Sequence, residues 1–341
     1  MTILVTGVAG FIGSAVALEL LRQGETVVGI DNLNDYYDVA LKKNRLAKCL
    51  SYPKFSFELI DIVDRASISA LFSKYRFEKV IHLAAQAGVR YSLTNPAAYI
   101  DSNLVGFGNM LEGARQHNVK HFVLASSSSV YGDNKKLPFS EHDSVDHPLS
   151  LYAATKRANE LMAHSYAHHH FPCTVLRFFT VYGPWSRPDM ALISFTKNIL
   201  QDKPIQVFNE GNMMRDFTYI DDIVSGVIGV LDKIPTKSDD NHCSAAASHC
   251  ASYRIFNIGN HHPVKLIDYI KVLEKCLNKK AKLEMMSMQA GDLVNTYADV
   301  SSLENLIGTL PHTPLEVGIS KFVEWYKDYY KDHALCVPSQ A

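Results

Sequence analysis

The chain has 341 residues, 47% of them hydrophobic, enough to fill one large core or two moderate ones. Its 34 basic and 35 acidic side chains leave a formal net charge of −1. With the basic residues scattered, this excludes a broad cationic face for nucleic acid or an anionic membrane.

The chain opens on MTILVTG, so its first strand begins beside Met1. The sequence predicts no cleavable leader, no apolar run long enough to span a bilayer, and a cytoplasmic location. Six cysteines without regular spacing read as reduced thiols.

Short apolar runs follow one another through the first half: ILVTG, TVVGI, FSFELID, KVIHLAA, HFVLASS and TVLRFF. Between them lie amphipathic segments near 12–22, 38–48, 64–75, 97–117 and 151–169. This alternation predicts an α/β fold, a Rossmann-type doubly wound parallel sheet with helices on both faces. The near-continuous apolar character of KVIHLAA fits burial on both sides. After about residue 180 the rhythm breaks. VYGPWSRPDM is rich in turn formers, and a helix over 190–202, a short strand IQVF and a later strand YRIFNIG follow.

The expected division is an NAD-binding domain over 1–180, rejoined by segments near 212–234 and 253–260. A smaller, mostly helical substrate lobe takes 181–211 and 261–332, with the ligand cleft between the two. A polar insert covers 236–252 and a flexible tail 333–341. Within the insert, His242, Cys243, His249 and Cys250 form two His-Cys pairs. Zinc sites favour Cys-Cys or His-His pairs at short spacing, so a surface loop is the better reading and no metal is expected.

The first strand runs into TGVAGFIG, with Gly7, Gly10 and Gly13 before a helix. Glycines there permit a tight turn and close approach to a pyrophosphate, which the helix N-terminus favours. The second strand ends at Asp31, an acceptor for both adenosine ribose hydroxyls that would repel a 2′-phosphate. Asn32 and Leu33 offer such a phosphate no cation, so NAD is favoured over NADP. Asp61 and Ile62, after the third strand, would border adenine.

Tyr152 precedes Lys156 by four residues, on one helix face. A tyrosine acting as a base near pH 7 needs its pKa lowered by roughly 3 units, or about 4 kcal/mol. A neighbouring ammonium and a cationic nicotinamide ring would both favour phenolate. Lys156 would also hold the nicotinamide ribose. Ser127, at the end of the fifth strand in ASSSSVYG, could hydrogen-bond the same reacting oxygen. Asp221 and Asp222, before IVSGVIGVL, are predicted to N-cap that helix. The triple histidine His168–His170 suits the C-terminal end of another.

Together the segments TGVAGFIG, DNLNDYYD, HLAAQAGVRYSL, ASSSSVYG, SLYAATKRANELMAH, LRFFTVYGPWSRPDMA and RDFTYIDDIV resemble the extended short-chain dehydrogenase/reductases that epimerise nucleotide sugars. The likeness covers nearly the whole chain and is closest to the UDP-glucuronate 4-epimerase group. The glycine motif is general to the superfamily; DNLNDYYD and TVYGPWSRPDMA are more specific.

The resemblance implies reversible C4 epimerisation of UDP-glucuronate to UDP-galacturonate through a 4-keto sugar, with hydride held transiently on bound NAD. It places cofactor contacts on Gly7, Gly10, Phe11, Ile12, Gly13, Asp31, Asn32, Asp61 and Ile62. Further contacts fall on Leu83, Ala84, Ala85, Gln86, Asn103, Tyr152, Lys156 and Phe179. Ser127, Tyr152 and Lys156 would be catalytic. Thr180 takes the place of the galactose epimerases' Asn. Arg215 would neutralise the pyrophosphate, Asp292 orient the uridine ribose, and Val207 and Phe208 lie beside uracil. Arg90 is a further substrate-side cation. Arg187, with Ser128 or Ser129, is the candidate grip for a sugar carboxylate, because a guanidinium binds carboxylate bidentately.

Two departures bear on substrate and reaction. Gln289 stands where galactose epimerases carry Arg, and no carboxylate follows Ser127 as it does in dehydratases and UDP-glucuronate decarboxylases. The alternatives are a 4-epimerase of UDP-N-acetylglucosaminuronate or of a neutral UDP-hexose, a decarboxylase, a net reductase, or a non-catalytic NAD-binding protein. The helices near 97–117 and 151–169 resemble the family's dimer-forming pair, implying a homodimer.

Overall fold

The computed structural model describes residues 1–237, 251–289 and 293–331. Its strands run in chain order as β1 (Thr2–Thr6), β2 (Thr26–Asp31), β3 (Phe55–Leu59), β4 (Lys79–His82), β5 (His121–Ser127), β6 (Cys173–Phe178), β7 (Thr180–Tyr182), β8 (Pro204–Phe208), β9 (Met214–Tyr219), β10 (Tyr253–Ile258), β11 (Pro263–Lys265) and β12 (Lys282–Met286). Seven form one parallel sheet in the order β10-β6-β5-β4-β1-β2-β3. The chain starts in the middle, winds outward through β2 and β3, then crosses back to β4. That reversal between β1 and β4 opens a crevice beyond the carboxyl ends of the strands, where doubly wound folds bind ligands.

Both faces are covered. On one, the helices Arg65–Lys74, Phe107–Gln116 and Leu151–His169 pack through Phe72, Phe107, Met110 and Ala163. On the other, Phe11–Arg22 and Ile220–Leu231 bury Val16, Leu20, Ile223 and Val227, in a core that continues into Leu266–Leu277 and Leu315–Tyr329. Asp64 caps its helix by accepting from the amides of Ala66 and Ser67, and Ser150 caps Leu151–His169 through the amide of Ala153. The helix Phe11–Arg22 differs: Gly10 stands at its cap with no side-chain acceptor, leaving its first amides for a ligand.

Two elements carry detail beyond the expectation, and one expectation is corrected. The helical segment near 97–117 runs without a break but is not regular: a π-helical turn, Asp101–Gly106, lies between Pro96–Ile100 and Phe107–Gln116. Such a turn re-aims one side chain, here Asn103. The later part is mostly helical, as expected, and adds two small sheets: β7, β9 and β11 form a three-stranded one, and β8 pairs with β12. Asp221 and Asp222 are not caps. The helix starts at Ile220, after an extended Tyr219, so both aspartates sit in its first turn. Asp222 instead accepts from the amide and hydroxyl of Thr313, at 2.8 and 2.7 Å, pinning the segment that leads into Leu315–Tyr329.

Cys49, Cys173 and Cys276 are free thiols. Among the described residues no helix is long and apolar enough to cross a membrane. The insert's His242, Cys243, His249 and Cys250, and the tail 333–341, lie outside the described residues.

Candidate active site

A cleft of about 300 Å³ follows the crevice from the glycine-rich turn to the start of the Leu151–His169 helix. Gly7, Gly10, Phe11, Ile12, Gly13, Asp31, Asn32, Asp61, Ile62, Leu83, Ala84, Ala85, Gln86 and Phe179 line it, together with Ser127, Tyr152 and Lys156. Gly7 has φ +68°, and a Cβ there would stand 2.8 Å from the Ala84 amide nitrogen. A Cβ on Gly10 would stand 2.9 Å from the Gly7 carbonyl oxygen. Only glycine fits either place, and the uncapped amides of the Phe11–Arg22 helix face the cradle so formed. Asp31 already accepts from the amides of Ala9 and Leu33, at 3.1 and 2.8 Å, which fixes its carboxylate at the strand end. The cradle and its acidic neighbour fit a dinucleotide with free ribose hydroxyls.

Asn103 does not line the cleft. Its side chain accepts from the Gln86 amide at 2.8 Å and donates to the Gln86 carbonyl and the Thr155 hydroxyl, each at 3.0 Å. It therefore ties the loop after β4 to the Leu151–His169 helix rather than touching a ligand.

Tyr152, in the first turn of that helix, faces Ser127 and Arg187 across the cleft. Burial pushes its phenol above the ordinary value, opposed by the Ser127 hydrogen bond and by the Arg187 charge. Lys156 is 4% exposed, and burial lowers it to about 8, with Glu160 opposing. Its ammonium donates to the Ala125 carbonyl at 2.9 Å. Arg187 thus adds a cation beside Tyr152 that helix spacing did not suggest, while the Lys156 ammonium, on the same helix face, is held by the Ala125 carbonyl. Ser129 donates to the Ser127 hydroxyl oxygen from its amide and its hydroxyl, at 3.2 and 2.9 Å, leaving the Ser127 proton free to turn elsewhere.

A second cavity of about 230 Å³ shares Ser127, Tyr152, Phe178, Phe179, Thr180 and Arg187 with the first. Its wall also includes Ser128, Ser129, Arg215, Leu293 and Thr296. Arg187 stands 3.2 Å from an Asp189 oxygen, to which Tyr36 also donates at 3.4 Å. Burial, the largest single influence, opposes the Arg187 charge, but Asp189 together with Tyr36, Tyr37 and Tyr152 outweighs it and holds the guanidinium above its ordinary value. Arg215 donates to the carbonyls of Met214 and Val294, at 3.0 and 2.8 Å. Arg90 lies 4.8 Å from the Phe208 ring centre, a cation–π contact outside both cavities. Val207 lines neither cavity. It is fully buried, because alternation along β8 turns it inward to the core. Asp292 lies outside the described residues.

Residues 3–259 match the NAD dependent epimerase/dehydratase family. The chain belongs to that family. It is 48% identical to UDP-glucuronate 4-epimerase 2 of Arabidopsis thaliana over 97% of this chain and 77% of that protein. It is 46% identical to a probable UDP-glucuronate 4-epimerase of Rhizobium meliloti (strain 1021), over 97% and 98% respectively. Among solved structures, the UDP-glucuronic acid 4-epimerase of Bacillus cereus, in complex with UDP-glucuronic acid and NAD, matches with a TM-score of 0.86. That pair shares 33% identity over 97% of this chain and all of that one.

This member of the epimerase/dehydratase family also carries site residues that its motifs did not assign. Asn34, Tyr36, Tyr37, Lys42 and Met190 line the first cavity. Lys42 is lowered to about 8 by burial, with Asp31 opposing, and donates to Asn34 through both its carbonyl and its side chain. It is a cation near Asp31 that the adjacent Asn32 and Leu33 gave no hint of. The tyrosine pair in DNLNDYYD was the available signal. Behind Ser127, the fully buried Arg177 grips Glu160 through two 2.9 Å bonds, and Ser126 donates to the same carboxylate at 2.6 Å. That network locks β5 against the Leu151–His169 helix.

Proposed function

We propose that the protein inverts C4 of UDP-glucuronate, reversibly, to give UDP-galacturonate. The observation that carries this reading is that Tyr152 and Arg187 face the same cavity. One is placed to move a hydroxyl proton, the other to hold a carboxylate. The named relatives support the choice of substrate. Ser128 and Ser129, where dehydratases and decarboxylases carry an acid, argue against those reactions.

Asp31 would hold the adenosine ribose and Lys156 the nicotinamide ribose, while Arg215, Arg90 and Phe208 receive the UDP moiety. Bound NAD supplies a reversible two-electron acceptor beside C4. Tyr152 takes the O4 proton as the C4–O4 bond becomes a carbonyl, with Ser127 hydrogen-bonded to the same oxygen. The 4-keto sugar then turns over within the cavity, and Tyr152 returns the proton to O4 once C4 is reduced on its other face. A 4-keto uronate is a β-keto acid and loses CO2 when its C5–carboxyl bond lines up with the carbonyl π system. Arg187, helped by Thr180 and by Ser128 or Ser129, would hold that bond out of line.

The same proposal keeps the two-lobe division drawn from the sequence, a cytoplasmic location and a homodimer. Exposed Ile100, Val105 and Leu161, on the two helical segments of the expected interface, support the dimer. The test is incubation of purified protein with UDP-glucuronate, without added NAD, followed by proton NMR. UDP-galacturonate at equilibrium with the substrate is expected. Failure to turn over UDP-glucuronate, or steady formation of a UDP-pentose, would refute the proposal, and a panel of other UDP-sugars would identify the true substrate.

A further inference from the structure

Arg45, on the helix Val39–Leu50, is 1% exposed and has no carboxylate partner among the described residues. Its donors instead go to four neutral oxygens. Nε and Nη2 reach the Trp185 carbonyl at 3.0 and 2.6 Å, and Nη2 also reaches the Ser186 carbonyl at 3.2 Å. Nη1 donates to the Ala9 carbonyl at 3.1 Å and to the Tyr37 hydroxyl at 2.6 Å. A buried cation is costly unless its donors are satisfied, so this fork holds its acceptors firmly. They come from three separate places: the glycine-rich turn, the segment after β2, and the loop that carries Arg187.

That loop needs holding. Trp185 has φ +68°, in the left-handed region that a bulky side chain rarely enters, and such a conformation persists only when its surroundings enforce it. The carbonyl receiving two of the Arg45 bonds belongs to this residue. Trp185 is also packed on Trp325 and Tyr329, with the Lys48 ammonium over its ring. Arg187 follows two residues later.

We propose that Arg45 is a positioning residue for Arg187: its guanidinium fixes the Trp185–Ser186 backbone against the cofactor cradle and thereby aims the carboxylate-gripping side chain. The proposal rests on the carboxylate-clamp reading of Arg187. Arg45 itself lines neither cavity. A lysine keeps the charge but, with one compact ammonium, cannot span oxygens on three segments.

The test measures carboxylate selectivity, which a general loss of packing would not move. NAD-loaded protein is titrated calorimetrically with UDP-glucuronate and with neutral UDP-glucose; turnover only mixes two uronates that both carry the carboxylate. Arg187→Ala should weaken UDP-glucuronate about ten- to a hundredfold and leave UDP-glucose within about twofold. Arg45→Lys should shift the ratio the same way, by about five- to twentyfold. The double variant should match Arg187→Ala alone, because the selectivity is already gone. Should Arg45→Lys not yield folded protein by thermal melting, Tyr37→Phe decides. It removes one acceptor only and should shift the ratio about two- to fivefold. An unchanged ratio in the folded Arg45 variant, or in Tyr37→Phe where that decides, overturns the proposal, as does equal weakening of both ligands. If Arg187→Ala itself leaves the ratio unchanged, the clamp reading fails, and the role of Arg45 falls with it.

Discussion

On the cofactor side of the cleft, Asp31 and Ser127 close parallel strands, Gly7 follows directly on β1, and Asp61 stands two residues after β3. On the sugar side, Thr180 and Arg215 sit on short strands of a separate sheet, and Arg187 on a turn-rich loop. The first set is positioned by the backbone ladder of the central sheet, which no single side chain controls. In the second, Thr180 and Arg215 lie on paired strands, but the Arg187 loop is held by side chains, Arg45 beneath it and Asp189 beside Arg187. The difference teaches that substrate choice can be altered on this scaffold while the redox half stays intact. The two sets meet at Tyr152, which lines both cavities.

Removing that shared group should have the largest effect. Tyr152→Phe should cut turnover by about 10²–10⁴-fold, the range of a lost general acid–base group, while NAD and UDP-sugar binding persist. Steady-state assay with calorimetry checks it, and more than a few per cent of residual turnover would end the assignment. Next comes a change confined to the sugar side. Arg187→Ala should raise the Michaelis constant for UDP-glucuronate about ten- to a hundredfold and release a UDP-4-keto-pentose. Mass spectrometry would find it: CO2 accounts for about 44 mass units and the two hydrogens removed at C4 for about 2 more. Parent-like kinetics without pentose would mean that another residue holds the acid.

Lys156 probes the cofactor side. Burial lowers its pKa to about 8 in the folded protein, so between there and the unfolded value the unfolded chain binds more protons and stability rises with pH. Below that window the buried charge is a constant cost. Lys156→Met should therefore stabilise ligand-free protein at pH 7 by about 1–3 kcal/mol in denaturant titrations, although NAD retention and catalysis suffer. The gain should shrink steadily as pH climbs above about 8, and a gain that grew with pH would contradict the burial argument. The smallest effect is expected at Asp31. Asp31→Ala with Asn32→Arg should move cofactor preference toward NADP by about tenfold, read from bound cofactor after exchange. Wild-type protein that purified with NADP would contradict the assigned role of Asp31.

The same contrast explains what was legible in the sequence. Gly7, Gly10, Gly13, Asp31, Ser127, Tyr152 and Lys156 announce themselves because strand ends and helix spacing are local patterns, and all of them line the cleft. Arg45 could not be read that way, since its Trp185 and Ser186 acceptors lie 140 and 141 residues away. Asp222 misled for a related reason. An acid before an apolar helix looks like a cap until Thr313, 91 residues on, takes its carboxylate. Val207 sits in a strand located correctly, but alternation puts its side chain in the core. The π turn at Asp101–Gly106 has no composition of its own; its mark is Asn103 reaching Gln86 and Thr155.

The central claim is that the hydrogen on C4 leaves and returns within one cleft. Turnover of UDP-glucuronate deuterated at C4 tests it most directly, with the position of the label in the product read by NMR. The account predicts that UDP-galacturonate keeps the deuterium at C4, and that the unlabelled reaction run in D2O places none there. Loss of the label to solvent, or its appearance at C4 from D2O, would show that C4 inverts by proton exchange with water and would contradict the account.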